Sequence, residues 1–187
     1  MDLTGLVLMG GKSSRMKEEK ALLVYHEKPQ YHHIYDLLKK FCPEVYLSQK
    51  KNIAINLPTI FDKKEYQNIG PLAGLISAYE TKKSAFLLFA IDYPLINEKD
   101  IEKLISERDS NFHATVYYNE NDFFEPYLGI YEVSFYEIIK TEIEQGNYSL
   151  QQILKKNHVQ KVSPINPETL KSIDNQEARL HYLNQYK

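Results

Sequence analysis

The stretch that decides the fold is Thr4-Gly5-Leu6-Val7-Leu8-Met9-Gly10-Gly11-Lys12-Ser13-Ser14-Arg15-Met16, with Lys20 four residues further on. Its apolar part, Leu6 to Met9, has the length and β-branched content of a buried β-strand. Two glycines follow at once. Because they lack a Cβ and tolerate positive φ, a ligand can approach the backbone there. The sequence therefore predicts a strand that ends in a glycine-containing loop.

The loop after this strand is rich in hydrogen-bond donors. The donors are Lys12, Ser13, Ser14, Arg15 and Lys20, opposed by Glu18 and Glu19. Backbone N–H groups in such a loop form a concave nest for anions, and Arg and Lys add charge-assisted hydrogen bonds to phosphate. The alternative is a glycine turn with solvated basic residues. We favour a phosphate-binding loop.

Two common phosphate-binding motifs do not fit this loop. Gly11-Lys12-Ser13 resembles the end of a Walker A motif, which needs a glycine at the position where Leu6 stands. The dinucleotide fingerprint G-x-G-x-x-G also fails, because no glycine follows Gly11 before Gly70. The loop therefore represents a third kind of phosphate site.

The bulk composition limits the class of protein. A length of 187 residues suits one domain with a sizeable core, and a net charge of −2 gives no electrostatic argument for nucleic acid as a partner. The single cysteine, Cys42, excludes an internal disulfide framework, and we expect it to be a small buried apolar residue. No signal peptide or membrane span is visible, so we expect a cytoplasmic protein that does not bind membranes.

The remaining chain alternates predicted strands and helices. Strands are predicted at 45–48, 57–61, 85–91, 114–118, 123–131 and 158–162, and helices at 30–41, 71–80, 97–107, 134–146, 149–154 and 175–183. The run 85–91 is wholly apolar, which is typical of a central strand covered on both faces. This order predicts an α/β fold whose sheet is mostly parallel and contains an antiparallel hairpin.

Two segments beyond the loop carry candidate site residues. The first is Gly70-Pro71-Leu72-Ala73-Gly74, in which Pro71 suits the first turn of a helix. Gly74 within that helix costs about 1 kcal/mol relative to Ala, so we expect another element to pack closely there. The second is Asp92, which follows the central strand where open α/β sheets bind ligands. A carboxylate at that position is either a Mg²⁺ ligand or a turn cap, and both interpretations stay open.

The second half of the chain gives weaker signals. Pro126 inside a predicted strand implies an edge strand or a β-bulge, and Glu125 beside it is either functional or simply solvent-facing. We expect Ser134 and Asp174 to cap the helices that follow them. The six histidines lack the H-x-x-x-H spacing of a helical zinc site.

These motifs together resemble those of the molybdenum cofactor guanylyltransferases, a branch of the nucleotidyltransferases. The stretch 8–20 resembles the signature L-A-G-G-x-S-x-R-M-G-x-D-K, with Met9, Lys17 and Glu19 in place of Ala, Gly and Asp. Residues 70–74 match G-P-L-A-G, and 92–94 match D-x-P. Segments 124–131 and 146–150 are similar to later family segments, whereas 172–177 differs from the family's N-x-N-T-P-E-D.

The resemblance implies a three-layer α/β/α Rossmann-like nucleotidyltransferase fold. It implies one domain over residues 1–187, with a nucleotide-binding half at about 1–95 and an acceptor-binding half at about 96–187. The implied activity is the transfer of GMP from GTP to the terminal phosphate of molybdopterin, with release of pyrophosphate and Mg²⁺ as the cofactor. Proteins of molybdenum cofactor synthesis, or enzymes that receive the cofactor, are the implied protein partners. We expect the protein itself to be a monomer.

The resemblance also assigns roles to individual residues. It implies catalytic Arg15, Lys20 and Asp92; a nucleotide site of Leu8, Met9, Gly10, Gly11, Lys12, Ser13, Lys20, Ser48, Asp62, Gly70, Pro71, Leu72, Gly74 and Asp92; Asp92 as the metal ligand; and an acceptor site of Glu125, Pro126, Tyr131 and Ser149.

Two other functions stay open at this point. One is a related nucleotidyltransferase that uses CTP or a sugar-phosphate acceptor. Such relatives usually read L-A-A-G at the loop, so the paired Gly10-Gly11 and the segment 70–74 favour guanine. The other is a non-catalytic GTP-binding protein, which the departures at Met9, Lys17 and 172–177 suggest.

Overall fold

The computed structural model describes residues 3–9, 22–50, 54–119, 121 and 123–186. Its strands are β1 (Leu3–Leu8), β2 (Glu44–Gln49), β3 (Thr59–Phe61), β4 (Ala85–Ala90), β5 (Ala114–Tyr118), β6 (Phe124–Tyr131) and β7 (Val159–Val162). They form one sheet of seven strands in the order β3-β2-β1-β4-β6-β5-β7. The central position predicted for the apolar run at 85–91 is confirmed, and β4 is buried along its whole length.

The helices lie where the apolar periodicity predicts them. They are α1 (Gln30–Lys39), α2 (Leu72–Lys82), α3 (Glu98–Ser106), α4 (Phe135–Glu144), α5 (Leu150–Lys156) and α6 (Gln176–Tyr186). The 3₁₀ turns Lys64–Tyr66 and Pro167–Leu170 lie between helices. None of the helices within the described part of the chain is long and apolar enough to cross a membrane.

The helices cover both faces of the sheet. A Cβ built on Gly5 of β1 would lie 3.3 Å from Cβ of Leu38 in α1, whereas Leu8 of the same strand lies against Gly74 of α2. Side chains three residues apart on a strand point to opposite faces, so α1 and α2 cover opposite faces of β1. The predicted three-layer α/β/α arrangement is therefore confirmed.

Among the described strands, β6 alone runs against the others, and it pairs with both β4 and β5. The predicted antiparallel hairpin is thus confirmed, but an edge position for Pro126 is wrong because β6 is an interior strand. The register shifts between the pairs Val116–Gly129 and Tyr118–Phe124, so one residue of β5 faces four residues of β6. Pro126 lies in this bulged stretch, where its missing N–H interrupts no regular ladder.

Two of the expected helix caps are also corrected. Ser134 precedes α4, but its side chain makes no capping hydrogen bond; its hydroxyl lies 2.9 Å from Nδ1 of His113. At α6 the capping side chain is Asn175, whose Oδ1 accepts from the backbone N–H of Ala178 at 2.9 Å, in place of the predicted Asp174. Neighbouring Asx residues both suit a cap, and only the backbone path decides between them.

Candidate active site

The carboxyl ends of the parallel strands β1, β2 and β4 meet at one edge of the sheet. Beyond the ladder, the N–H of Met9 donates to the carbonyl of Ser48 at 3.2 Å, and the N–H of Ile91 donates to that of Leu8 at 3.3 Å. The N–H of Asp62 donates to the carbonyl of Gln49 at 2.9 Å. Four predicted site residues, Leu8, Met9, Ser48 and Asp62, are therefore brought together, and Asp92 follows directly after Ile91.

The first turn of α2 packs directly on these strand ends. A Cβ built on Gly74 would lie 2.2 Å from Oγ of Ser48 and 2.8 Å from Cδ2 of Leu8. We call this approach the Ser48–Gly74 contact. It confirms the expectation of close packing at Gly74. Gly70 has φ +68°, a left-handed conformation that favours glycine, and it lets the chain turn into Pro71 and the buried Leu72.

Asp62 forms a polar pair with Ser48 next to this contact. The hydroxyl of Ser48 donates to Oδ1 of Asp62 at 3.3 Å, and the carboxylate is half-buried. Burial raises the pKa of Asp62, although the Ser48 hydrogen bond and the charge of Lys50 act in the opposite direction. The pair presents hydrogen-bond acceptors beside a glycine backbone, an arrangement suited to the N–H and O–H groups of a nucleoside.

Asp92 lies in the turn after β4 and is half-buried. Its carbonyl oxygen accepts from the N–H of Ile173 at 2.7 Å, which ties the C-terminal segment to this turn. Burial raises the pKa of Tyr127, and the charge of Asp92 raises it further.

The residues predicted to bind the acceptor lie in different surroundings. Glu125 is held near Asp92, because its Oε2 accepts from the hydroxyl of the adjacent Tyr93 at 3.0 Å. Pro126 accepts at its carbonyl from the hydroxyl of Tyr131, whose side chain is fully buried. Ser149 is the N-cap of α5, where its hydroxyl accepts from the N–H of Gln152 at 3.3 Å. Tyr131 and Ser149 therefore have structural roles, and their assignment to an acceptor site stays a prediction.

The other predicted residues lie outside the described part of the chain. These are Gly10, Gly11, Lys12, Ser13, Arg15 and Lys20.

Sequence reasoning missed several residues around Asp92. Tyr93 links this turn to Glu125, and the amide of Asn119 donates to the other carboxylate oxygen of Glu125 at 2.9 Å. Tyr25 belongs to no recognised motif, and Tyr127 lies within the family-like segment 124–131 but was not singled out there. With 15 tyrosines in the chain, composition gave no signal that would single them out.

A mostly parallel sheet, a helix that packs through glycine on its strand ends, and an aspartate after the central strand define a Rossmann-like nucleotidyltransferase. The chain belongs to the MobA-like NTP transferase domain family, whose model matches residues 5–162.

Individual relatives agree with this membership. The chain is 34% identical to a molybdenum cofactor biosynthesis bifunctional protein from Synechocystis, over 94% of this chain and 52% of that protein. It therefore spans about half the length of that relative. It is 31% identical to a probable molybdenum cofactor guanylyltransferase from Flavobacterium johnsoniae, over 82% of this chain and 81% of the relative.

Solved structures share the fold at low sequence identity. Molybdopterin-guanine dinucleotide biosynthesis protein A from Archaeoglobus fulgidus matches with a TM-score of 0.78 and 18% identity, over 96% of each chain. The 2-C-methyl-D-erythritol 4-phosphate cytidylyltransferase from Thermus thermophilus matches with a TM-score of 0.67 and 12% identity, over 98% of each chain. At these identities the likeness establishes the fold.

The Ser48–Gly74 contact predicts the effect of adding a methyl group. Gly74→Ala should gain about 1 kcal/mol of helix propensity, yet overpacking should cost about 1–3 kcal/mol, so we expect a net loss of stability. Adding Ser48→Ala, which removes the nearer of the two obstructing atoms, should restore part of this loss. Urea unfolding of the two single variants and the double variant measures both effects. A more stable Gly74→Ala protein would contradict the contact.

The environment of Asp62 predicts an unusual pH dependence. Burial raises the pKa of Asp62 in the folded protein above the unfolded value of about 3.9. The contribution of Asp62 to the free energy of unfolding should therefore fall as pH rises from about 4 through the folded pKa. Asp62→Asn lacks this loss, so its stability relative to wild type should improve between pH 3.5 and pH 7.

Asp36 provides a control of opposite sign. Burial acts to raise its pKa, but the hydrogen bond from Lys28 and the nearby His32 and Lys28 outweigh burial, and the pKa is lowered. The stability that Asp36 contributes is therefore lost as pH falls. Asp36→Asn should be destabilised relative to wild type by more at pH 7 than at pH 3.5. Thermal unfolding across this range measures both variants. The same trend in both would show that Asp62 has no raised pKa.

Proposed function

We propose that the chain transfers GMP from GTP to the terminal phosphate of molybdopterin and releases pyrophosphate. The observation that carries the proposal is the Ser48–Gly74 contact, which places the glycine-containing turn of α2, Asp62 and the end of β1 at one edge of the sheet. The names of the Flavobacterium and Synechocystis relatives support the choice of substrates.

The chemistry requires little covalent participation by the protein. The attacking group is a phosphate oxygen, which is already anionic at pH 7, so no general base is needed. Catalysis then consists of positioning and of stabilising charge around the α-phosphorus. As this phosphorus gains a bond to the acceptor oxygen, its bond to the pyrophosphate oxygen breaks, and pyrophosphate leaves with its electron pair.

The loop after β1 would hold the triphosphate. We assign Gly10, Gly11, Lys12 and Ser13 to the cradle of backbone and side-chain donors, and Arg15 and Lys20 to the charge that develops on the departing pyrophosphate. These assignments rest on the sequence.

The nucleoside would lie against the first turn of α2. Gly70 is exposed and left-handed, so its backbone is accessible beside Pro71 at the start of α2, and Asp62 supplies an acceptor for guanosine N–H or O–H groups. Ser48 holds the Asp62 carboxylate through its hydroxyl, and we assign Leu8 and Met9 at the end of β1 to the same nucleotide site.

Asp92 is the residue that would bind Mg²⁺. A half-buried carboxylate at a strand end fits a cation that takes one or two carboxylates and completes its shell with water and phosphate oxygens. Within the described residues no cluster of three or more His, Cys, Asp or Glu could hold a metal alone. Bound Mg²⁺ would act as a Lewis acid and a template for the phosphates.

The acceptor would bind on the other side of Asp92. We assign it to the half of the chain at about 96–187, with Glu125 and Pro126 in contact with it and Tyr131 and Ser149 as supporting residues. We further propose that the protein is a cytoplasmic monomer that meets proteins of molybdenum cofactor synthesis or their target enzymes.

A second candidate is a nucleotidyltransferase that uses CTP or a sugar phosphate. The fold shared with the cytidylyltransferase from Thermus thermophilus supports it.

Pyrophosphate release distinguishes the candidates. We expect Mg²⁺-dependent release with GTP and molybdopterin that exceeds release with CTP or ATP, or with a sugar phosphate as the acceptor. A preference for CTP would favour the second candidate. GTP binding without release under any of these conditions would identify a non-catalytic binding protein.

Lys20→Ala tests the assignment of the loop. Removing a cation that stabilises the departing pyrophosphate should lower turnover by about 10²-fold or more. The melting temperature should change little. Lys99→Ala, which removes an exposed cation from α3, is the matched control and should retain full turnover. Normal turnover in Lys20→Ala would refute the assignment.

A further inference from the structure

The C-terminal helix contributes to a small apolar cluster that is separate from the main core. The cluster consists of Leu23 and Tyr25 from the segment before α1, with Ile173 and Tyr182 from the C-terminal segment. It adjoins the active-site turn, because the N–H of Ile173 donates to the carbonyl of Asp92 at 2.7 Å. Helix α6 therefore packs beside the carboxyl end of β4, although the family model ends at residue 162.

This packing brings Arg179 to the same place. The rings of Tyr182 and Tyr25 meet edge-to-face, with centroids 5.2 Å apart and an interplanar angle of 88°. Arg179 precedes Tyr182 by three residues, so both side chains lie on one face of α6. Arg179 thus projects from the side of the helix that packs on Tyr25.

The electrostatics of Tyr25 agree with this placement. Burial raises the pKa of Tyr25 to about 12, the positive charge of Arg179 lowers it, and the negative charge of Asp92 raises it. Both charges therefore act on the hydroxyl, which keeps its proton at pH 7. It can donate a hydrogen bond.

The chemistry of this group of side chains suits an anion. A guanidinium presents planar N–H donors that match two oxygens of a phosphate, and such charge-assisted bonds are among the strongest in proteins. The Tyr25 hydroxyl adds a donor beside it. The negative charge of Asp92 would repel a phosphate. The Arg179 guanidinium and the Tyr25 hydroxyl would offset this repulsion for a phosphate that binds beside Asp92.

We propose that Arg179, together with the hydroxyl of Tyr25, binds a phosphate group of a substrate beside Asp92, and that α6 is therefore part of the active site. The inference rests on the proposed function, which identifies Asp92 as the reaction centre. Two substrates carry such a group: the nucleotide as a triphosphate, and the acceptor as a phosphate monoester.

Steady-state kinetics of Arg179→Gln test the proposal and distinguish the two sources. We expect the KM of one substrate to rise by about 10- to 100-fold, as for the loss of a charge-assisted hydrogen bond, with a smaller change in kcat. A rise in the KM of GTP identifies the triphosphate, and a rise in the KM of molybdopterin identifies the monoester. Unchanged KM values for both substrates would overturn the proposal.

Matched variants separate phosphate binding from packing. Lys156→Gln makes the same change of charge on α5, where the side chain is 59% exposed, and it should leave both KM values unchanged. Tyr25→Phe keeps the ring against Tyr182 and should raise the KM of the same substrate by about 3- to 10-fold. If both groups hold one phosphate, the double variant should lose less than the product of the single effects. A multiplicative result would contradict a shared phosphate.

Separate controls test whether Arg179→Gln affects folding and whether the proposed function holds. Arg179→Lys keeps the charge without the planar fork and should give an intermediate KM, so it decides the question if Arg179→Gln lowers the melting temperature. Equilibrium binding of GTP and of molybdopterin is measured without turnover. A wild-type protein that binds a ligand through Arg179 but transfers nothing would contradict the proposed function and keep this inference. If Arg179→Gln binds GTP as tightly as wild type does, and likewise binds molybdopterin as tightly, this inference is overturned while the proposed function stands.

Discussion

The close approach of α2 to the ends of β1 and β2 is the constraint on which the site depends. Any side chain at position 74 would meet Oγ of Ser48 and the side chain of Leu8, so only glycine allows the helix to pack at this depth. The same approach packs α2 against the side chain of Ser48, whose hydroxyl donates a hydrogen bond to the Asp62 carboxylate. One packing contact thus positions the backbone of Gly74, the hydroxyl of Ser48 and the carboxylate of Asp62 relative to one another.

The sheet determines what lies on either side of this contact. Parallel pairing of β4 with β1 places Asp92 at the same edge, and the antiparallel β6 beside β4 carries Glu125 to the neighbouring position. The C-terminal segment then covers the Asp92 turn through Ile173. This order of strands supports the proposal that a nucleotide and an acceptor bind on either side of Asp92, and it agrees with membership in the MobA-like NTP transferase family.

Local signals predicted much of this arrangement. The unbroken apolar run at 85–91 indicated a central strand, and glycine inside a helix indicated close packing at Gly74, because each signal has one dominant physical cause. Non-local features were not predictable. The interior position of β6 depends on which strands pair, and the bulge around Pro126 depends on the resulting register. The meeting of Tyr25 with Tyr182 joins residues far apart in sequence, and no local pattern reports such a contact.

The central claim is that guanine nucleotide binds against the first turn of α2 and the adjoining strand ends. Amide hydrogen–deuterium exchange, with and without GTP and Mg²⁺, tests this most directly, because it reports ligand contact residue by residue. The account predicts slower exchange at residues 70–75, 48–50 and 9–20, with little change in α4 and β7. Protection confined to α4 or β7, or no protection at saturating GTP, would contradict it.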